Sequence, residues 1–339
     1  METDGGKKKT RAIALLSGGL DSTLTIKMLL DQGIDVIALN FTSVFCTCTP
    51  KTASCHIATS VARELGVELK TLVKGLDYLK IVENPRHGRG RGMNPCIDCR
   101  IYMLRRSAEV MRETGAAFVA TGEVLGQRPM SQHLAAIKLI EKESGLAGLI
   151  VRPLSAALLA PSKPELDGLV DRSRLLAIQG RTRRVQLEMA RTMGVETFSC
   201  AAGGCLLTDP AIGRRVADMF HHCPGYDMPE VRLLTVGRHY RLRPALKAIV
   251  SRADAEGQRM EALAGPRLRM ELADMPGPTL VACGDVTDDD LPALARLLAH
   301  HQKKLADDGF TVKIVRDAAT TRLAAAGRLA PAEIESWRI

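Results

Sequence analysis

Residues 11–33, RAIALLSGGLDSTLTIKMLLDQG, constrain the fold more than any other stretch of the chain. Ile13–Leu16 is a continuous apolar run, the pattern of a strand buried on both faces. Ser17-Gly18-Gly19 interrupts it, and an amphipathic helix follows at once, ending near Gly33. Glycines in such a turn let the backbone approach an anion closely, and the free N–H groups of the helix N-terminus supply the field that binds it. Ser22 and Thr23 add hydroxyl donors. No Gly-Lys-Ser/Thr follows, so this is not a Walker A loop. An ordinary strand–helix turn with a Ser or Asp cap is the alternative reading. The whole string, set between a strand and a helix, favours a nucleotide site. Asp21 would orient the loop, help hold Mg²⁺, or simply complement the helix N-terminus.

The alternation continues beyond the loop. IDVIALNFTS and VELKTLV read as strands, TASCHIATSVARELG as the helix between them, RIYMLRRSAEVMRETG as another helix and AAFVATGE as a further strand. Strands alternating with helices predict βαβ units and an α/β fold with a doubly wound parallel sheet. RSRLLAIQG and RRVQLEMARTMG read as helical, leading into the glycine-rich CAAGGCLLTDP. Pro224, Gly225 and Pro229 place a boundary near HHCPGYDMPE. The expected domains are residues 10–223 and 230–339. The second, with RLLTVGRHYRL, PTLVACGD, helical DLPALARLLAHHQKKLAD and strand-like FTVKIVRD, reads as a small α+β domain.

At 339 residues the chain has room for two cores. No apolar run reaches the ~20 residues that span a bilayer, and METDGGKKKTR lacks the apolar segment of a secretory signal. The expectation is a cytoplasmic protein with no membrane partner. The formal charge is +9 and the arginines cluster. Arg86, Arg89, Arg91, Arg100, Arg105 and Arg106 stand against Asp98 alone, and a second group holds Arg181, Arg183 and Arg184. Such clusters neutralise phosphates and suit a polyanion such as tRNA. A solvated helix face is the alternative; the glycines interleaved over 86–91 instead predict a flexible, phosphate-gripping loop. Aromatic residues make up only 3%, too few for an extensive base-stacking platform.

Nine cysteines in such a chain are not a disulfide framework. Cys96-x-x-Cys99 sits in the arginine-rich loop and could serve zinc, redox or cluster chemistry. Cys46, Cys48 and Cys55, with His56, are an accessory metal set or ordinary small residues, the latter preferred. Cys200, Cys223 and Cys283 read as packing residues, and His221 and His222 carry no assignment.

The string SGGLDS resembles the SGGxDS motif of the PP-loop ATP pyrophosphatases. The resemblance implies a fold of the adenine nucleotide α-hydrolase type, and a reaction in which a substrate oxygen attacks the α-phosphate of ATP. Three further stretches narrow it: NPCIDCR, TGEVLGQ (Thr121–Gln127) and AAGGCLLTD, which contains Cys205. Together they are similar to the tRNA thiouridine synthases of that superfamily over about residues 10–215, TGEVLGQ pointing to 4-thiouridine ahead of 2-thiouridine. The resemblance implies ATP contacts from Leu15, Leu16, Ser17, Gly18, Gly19, Asp21, Ser22, Thr23, Asn40, Phe41, Arg100, Gly122 and Gln132. It implies Cys96, Cys99 and Cys205 as ligands of a 4Fe–4S cluster whose fourth iron stays open to sulfide. Two alternatives stay open: a persulfide/disulfide pair of Cys99 and Cys205 without a cluster, and zinc. Asp21, Cys99 and Cys205 are the catalytic candidates; Arg86, Arg89, Arg91, Arg181, Arg183 and Arg184 are the RNA-binding ones. The expected partners are tRNA and a sulfur donor, free sulfide or a persulfide from a cysteine desulfurase; a homodimer stays open. The N-terminal RNA-binding and C-terminal rhodanese domains of familiar relatives are not expected, and the last hundred residues resemble an RNA-binding module of the NFACT-R kind. The rival readings are a PP-loop enzyme acting on a small molecule and a non-catalytic RNA-binding protein with structural zinc.

Overall fold

The computed structural model describes residues 9–46, 54–198, 204–305, 309–317 and 319–339, the side chains of 54–56 excepted. Cys48 and Cys200, and the side chains of Cys55 and His56, therefore lie outside the described residues. Two compact units divide after Leu206.

The first unit runs β1 (Arg11–Leu15), α1 (Leu20–Leu30), β2 (Asp35–Thr42), α2 (Ser54–Glu64), β3 (Glu68–Val73), α3 (Leu76–Glu83), α4 (Cys96–Thr114), β4 (Phe118–Ala120), α5 (Leu134–Ser144), β5 (Ile150–Val151), α6 (Lys163–Leu166) and α7 (Arg184–Thr192). The strands form one sheet in the order β3-β2-β1-β4-β5, every pair parallel. Successive strand residues face opposite sides, and β1 shows the consequence. Ala12 and Ala14 pack with Leu20, Leu24, Ala58 and Val61 of α1 and α2. Ile13 and Leu15 pack with Ile101, Leu104, Ala136 and Ile140 of α4 and α5 on the other side. A strand covered on both faces must be apolar throughout, and the expected doubly wound parallel sheet is what forms.

Two local expectations are corrected. RSRLLAIQG is not a helix: a short 3₁₀ turn at Arg172–Arg174 gives way to extended chain. The Leu176 and Ile178 amides donate to the Pro153 and Leu154 carbonyls, which buries Leu175 and Ile178. NPCIDCR is not wholly a loop: α4 starts at Cys96, so both cysteines lie in its first turn.

The second unit holds α8 (Pro210–His222), α9 (Met228–Leu233), β6 (Arg238–Arg243), β7 (Leu246–Val250), α10 (Asp254–Ala264), β8 (Leu268–Leu272), β9 (Leu280–Gly284), α11 (Leu291–His300), β10 (Phe310–Arg316), β11 (Ala319–Ala325) and α12 (Pro331–Trp337). Its strands order as β11-β10-β8-β9-β7-β6 in an antiparallel sheet, the small α+β architecture expected. The boundary after Leu206 precedes the one expected near 223–230, because α8 is tied forward. Arg215 donates to the Leu234 carbonyl at 3.0 Å, and Arg241 clamps Asp218 through two hydrogen bonds of 2.6 and 3.0 Å. Among the described residues no helix is long and apolar enough to cross a membrane.

Candidate active site

A cavity of about 270 Å³ opens at the carboxyl ends of β1, β2 and β4, where the strand order reverses. Leu15, Leu16, Ser17, Gly19, Asp21 and Ser22 line it from the loop, Asn40 and Phe41 from β2, and Thr121, Gly122 and Glu123 from the end of β4. Arg100, Gln127, Arg128, Gln132 and Arg183 complete the polar wall. The loop is braced from within. Ser22 Oγ donates to the Gly19 carbonyl at 2.8 Å, and Asn40 Nδ2 donates to the Leu16 carbonyl at 2.7 Å. Intrahelical bonding starts only at Thr23, whose amide reaches the Gly19 carbonyl. The amides ahead of it in the first turn have no such partner and are the anion-binding groups of a helix N-terminus.

Two expected contacts brace the loop and do not line the cavity. Gly18 adopts φ +74°, the left-handed conformation, against α2. Thr23 is buried and donates its hydroxyl to the Gly19 carbonyl at 3.1 Å. Gly122 is required for a different reason. A Cβ there would stand 2.7 Å from backbone atoms of Asp21 and Ser22, so only glycine lets the end of β4 reach the loop.

Glu123 is the electrostatic anchor. It is 2% exposed, with Arg100 Nε 3.1 Å from Oε1 and Arg152 Nε 3.0 Å from Oε2, and Thr121 donates to it. Burial pushes this carboxyl up, but Arg100 and Arg152 outweigh burial and hold it below its usual range. Its charge fixes Arg100 at the cavity wall. Asp21 accepts from Gln127 Nε2 at 3.0 Å through Oδ2 and has Arg183 3.8 Å away; its Oδ1 is buried without a partner.

One residue before Arg100 the chemistry changes to sulfur. Cys96 and Cys99, one turn apart, stand at the α4 N-terminus. Lys74 Nζ lies 3.6 Å from Cys99 Sγ and 4.7 Å from the centre of the Tyr78 ring, and Asn94 Nδ2 lies 3.0 Å from Cys96 Sγ. Burial raises the Tyr78 hydroxyl far above its ordinary value, and Cys99, Cys205 and Cys96 each add to the rise. Cys205 is exposed and sits opposite Cys46 in an isolated antiparallel bridge. Among the described residues no three His, Cys, Asp or Glu side chains stand close enough to hold one metal ion, for zinc and for a cluster on Cys96, Cys99 and Cys205 alike. Cys283 is core, its thiol pushed up to about 11 by burial.

The arginines divide. Loop 86–91 is pinned: Asp98 in the first turn of α4 accepts from the Arg86 and His87 amides at 3.2 and 3.0 Å. Arg86 also pairs with Glu143, and Arg89 donates to the Val82 and Glu83 carbonyls at the end of α3. Flexibility is thus the wrong expectation for this loop, and these two arginines have internal work. Arg183 lines the cavity described above. Arg91, Arg181 and Arg184 are exposed, their guanidinium groups without a partner among the described residues. Sequence reasoning missed Glu123, Gln127 and Arg128 at the cavity, although the first two lie inside the recognised TGEVLGQ stretch. It also preferred to treat Cys46 as an ordinary small residue.

The family model described as Thiamine biosynthesis protein (ThiI) matches residues 7–158, and the one described as NFACT protein RNA binding domain matches residues 237–338. A tRNA-specific 2-thiouridylase MnmA of Nitrobacter hamburgensis is 27% identical over 210 residues, covering 58% of this chain and 48% of that protein. A "Probable tRNA sulfurtransferase" of Methanothermobacter thermautotrophicus is 27% identical over 164 residues, covering 48% of this chain and 40% of its own length. The chain thus spans about half the length of the first of these relatives and less of the second. A solved 4-thiouridine synthetase–RNA complex with bound ATP is 21% identical, with a TM-score of 0.39 over 66% of this chain and 52% of that one. The glycine loop and the switch-point cavity lie within the segment similar to the ThiI family, residues 7–158, and the antiparallel sheet lies within the segment similar to the NFACT RNA-binding domain, residues 237–338.

Proposed function

We propose that this chain is an ATP-dependent tRNA sulfurtransferase, adenylating a uridine carbonyl oxygen and replacing it with sulfur. The observation that carries the reading is adjacency. Arg100 lines the nucleotide cavity, and the preceding residue, Cys99, shares the first turn of α4 with Cys96. Few PP-loop reactions other than sulfur transfer would require thiols there.

In this mechanism the first-turn amides of α1 bind the phosphates of ATP, and Arg100, Arg128 and Arg183 add positive charge along the wall. The unpartnered Asp21 Oδ1 suits a Mg²⁺ ion, which binds through one or two carboxylates and the phosphates it neutralises. The uridine oxygen attacks the α-phosphorus in line and pyrophosphate leaves. Positioning and charge stabilisation suffice, and the site offers no dedicated general base. Sulfur then displaces AMP. The donor set of Cys96, Cys99 and Cys205 is all thiol, which fits a 4Fe–4S cluster better than a hard cation. Such a cluster, when bound, supplies an iron without a protein ligand for activating sulfide. A cluster-free persulfide route is the second reading, and the pairing of Cys205 with Cys46 favours it. Arg91, Arg181 and Arg184 are the arginines left for RNA. 4-Thiouridine is the product favoured by TGEVLGQ.

Anaerobically purified protein, given ATP, Mg²⁺, sulfide and unmodified tRNA, is expected to release pyrophosphate and AMP only with tRNA present, and to leave thiouridine in the digested nucleosides. ATP turnover that ignores tRNA, with no thiouridine formed, would sink the proposal. Visible absorption with iron and sulfide analysis separates the two routes: a colourless, iron-free protein that still thiolates selects the persulfide.

A further inference from the structure

The bridge between Cys46 and Cys205 has a defined geometry. The Leu206 amide donates to the Phe45 carbonyl at 2.8 Å. A bond from the residue after one partner to the residue before the other marks a non-hydrogen-bonded antiparallel pair. In such a pair the Cα atoms lie about 4.5 Å apart with both side chains on one face, at the near edge of the ~4.4–6.8 Å window for disulfides. Cys46 is held there by a turn: its amide donates to the Ser43 carbonyl at 3.1 Å, and Ser43 Oγ lies 3.6 Å from its sulfur. Access differs between the partners, Cys205 being exposed and Cys46 half-buried. A sulfur carrier therefore meets Cys205 first, with Cys46 waiting beside it. Neither Cys96 nor Cys99 has a backbone pairing with Cys205; both are fixed in the first turn of α4.

We infer that Cys46 is the resolving thiol for Cys205 in the cluster-free chain. This rests on the sulfur-transfer reading and names a partner for Cys205 other than Cys99. When Cys205 carries a persulfide, the Cys46 thiolate attacks the Cys205 Sγ. The bond from Cys205 Sγ to the outer sulfur breaks, and the outer sulfur leaves as hydrosulfide with the bonding electron pair. A Cys46–Cys205 disulfide forms, and the proton lost in making the Cys46 thiolate passes to solvent. A dithiol reductant then restores both thiols.

The test uses the full chain, iron removed, loaded with inorganic polysulfide and freed of excess reagent, with neither ATP nor tRNA present. About one sulfide per chain should be released, and non-reducing peptide mapping should find Cys46 joined to Cys205. Cys46→Ser and Cys46→Ala should keep the persulfide on Cys205 and release sulfide at least about tenfold more slowly, since only the attacking thiol is removed. A map joining Cys205 to Cys99 or Cys96, or release by both variants at the unsubstituted rate, overturns the inference. The linked peptide from the unsubstituted chain decides the matter even where a variant folds poorly. Because no nucleotide or RNA is used, failure of tRNA thiolation leaves this outcome readable on its own.

Discussion

Glu123 shows how much one buried charge organises. Its carboxylate faces Arg152, which is 3% exposed, and Arg100, which reaches the cavity wall. Removing one member of a buried ion pair leaves the others charged in a medium that solvates them poorly. Glu123→Gln is predicted to lose about 3–5 kcal/mol of stability in denaturant titration and to weaken ATP binding through Arg100. An unchanged midpoint would show that these arginines find other partners. Gly122 acts by being small. Gly122→Ala brings a methyl to 2.7 Å from the backbone of Asp21 and Ser22. Overpacking of this kind costs about 1–3 kcal/mol. Because the atoms displaced belong to the phosphate loop, ATP affinity is predicted to fall more than stability does. Equilibrium binding of a non-hydrolysable ATP analogue beside a thermal melt checks this, and affinity unaffected by the substitution would refute it.

At the scale of elements, α4 joins three tasks in its first turn. Cys96 and Cys99 place two thiols there, Asp98 buckles the arginine loop by accepting two of its amides, and Arg100 lines the cavity. The same buckle separates structural arginines from free ones. Arg181→Ala with Arg184→Ala is predicted to weaken tRNA binding across sequences. The slope of log affinity against log salt should fall by about 0.7–0.9 for each phosphate that the variant no longer neutralises. Arg89→Ala should instead destabilise the loop, since it strips the donor from the α3 carbonyls. A double variant with an unaltered salt slope would move the RNA surface elsewhere.

For the molecule as a whole, acid sensitivity should lie in the second unit. Burial pushes His239 well below its ordinary value, with Lys247 and Arg215 adding to the effect, and pushes His301 down to about 4. Both are neutral when folded and take up protons near pH 6.5 when unfolded. The unfolded chain therefore binds more protons between about pH 4 and 6.5, and the stabilisation present above 6.5 is lost as pH falls through that window. The melting temperature is predicted to drop by several degrees between pH 7 and pH 5, and His301→Gln should flatten the drop. A flat profile in the unsubstituted chain would contradict the burial argument.

Much of this molecule was legible in its sequence because the signals are local. A strand buried on both faces has to be apolar, a turn that admits phosphate has to be glycine, and a helix has to begin where free amides can meet the anion. Those needs fix the sheet type, the loop and most of the cavity wall within short windows. Contacts between distant segments are not written locally. Glu123 against Arg152, Asp98 under the arginine loop, Gly122 against Asp21 and Cys46 opposite Cys205 each join elements whose approach is set by sheet order and packing. Tertiary structure therefore decided which arginines are free, which carboxylates are charged and which thiol faces Cys205.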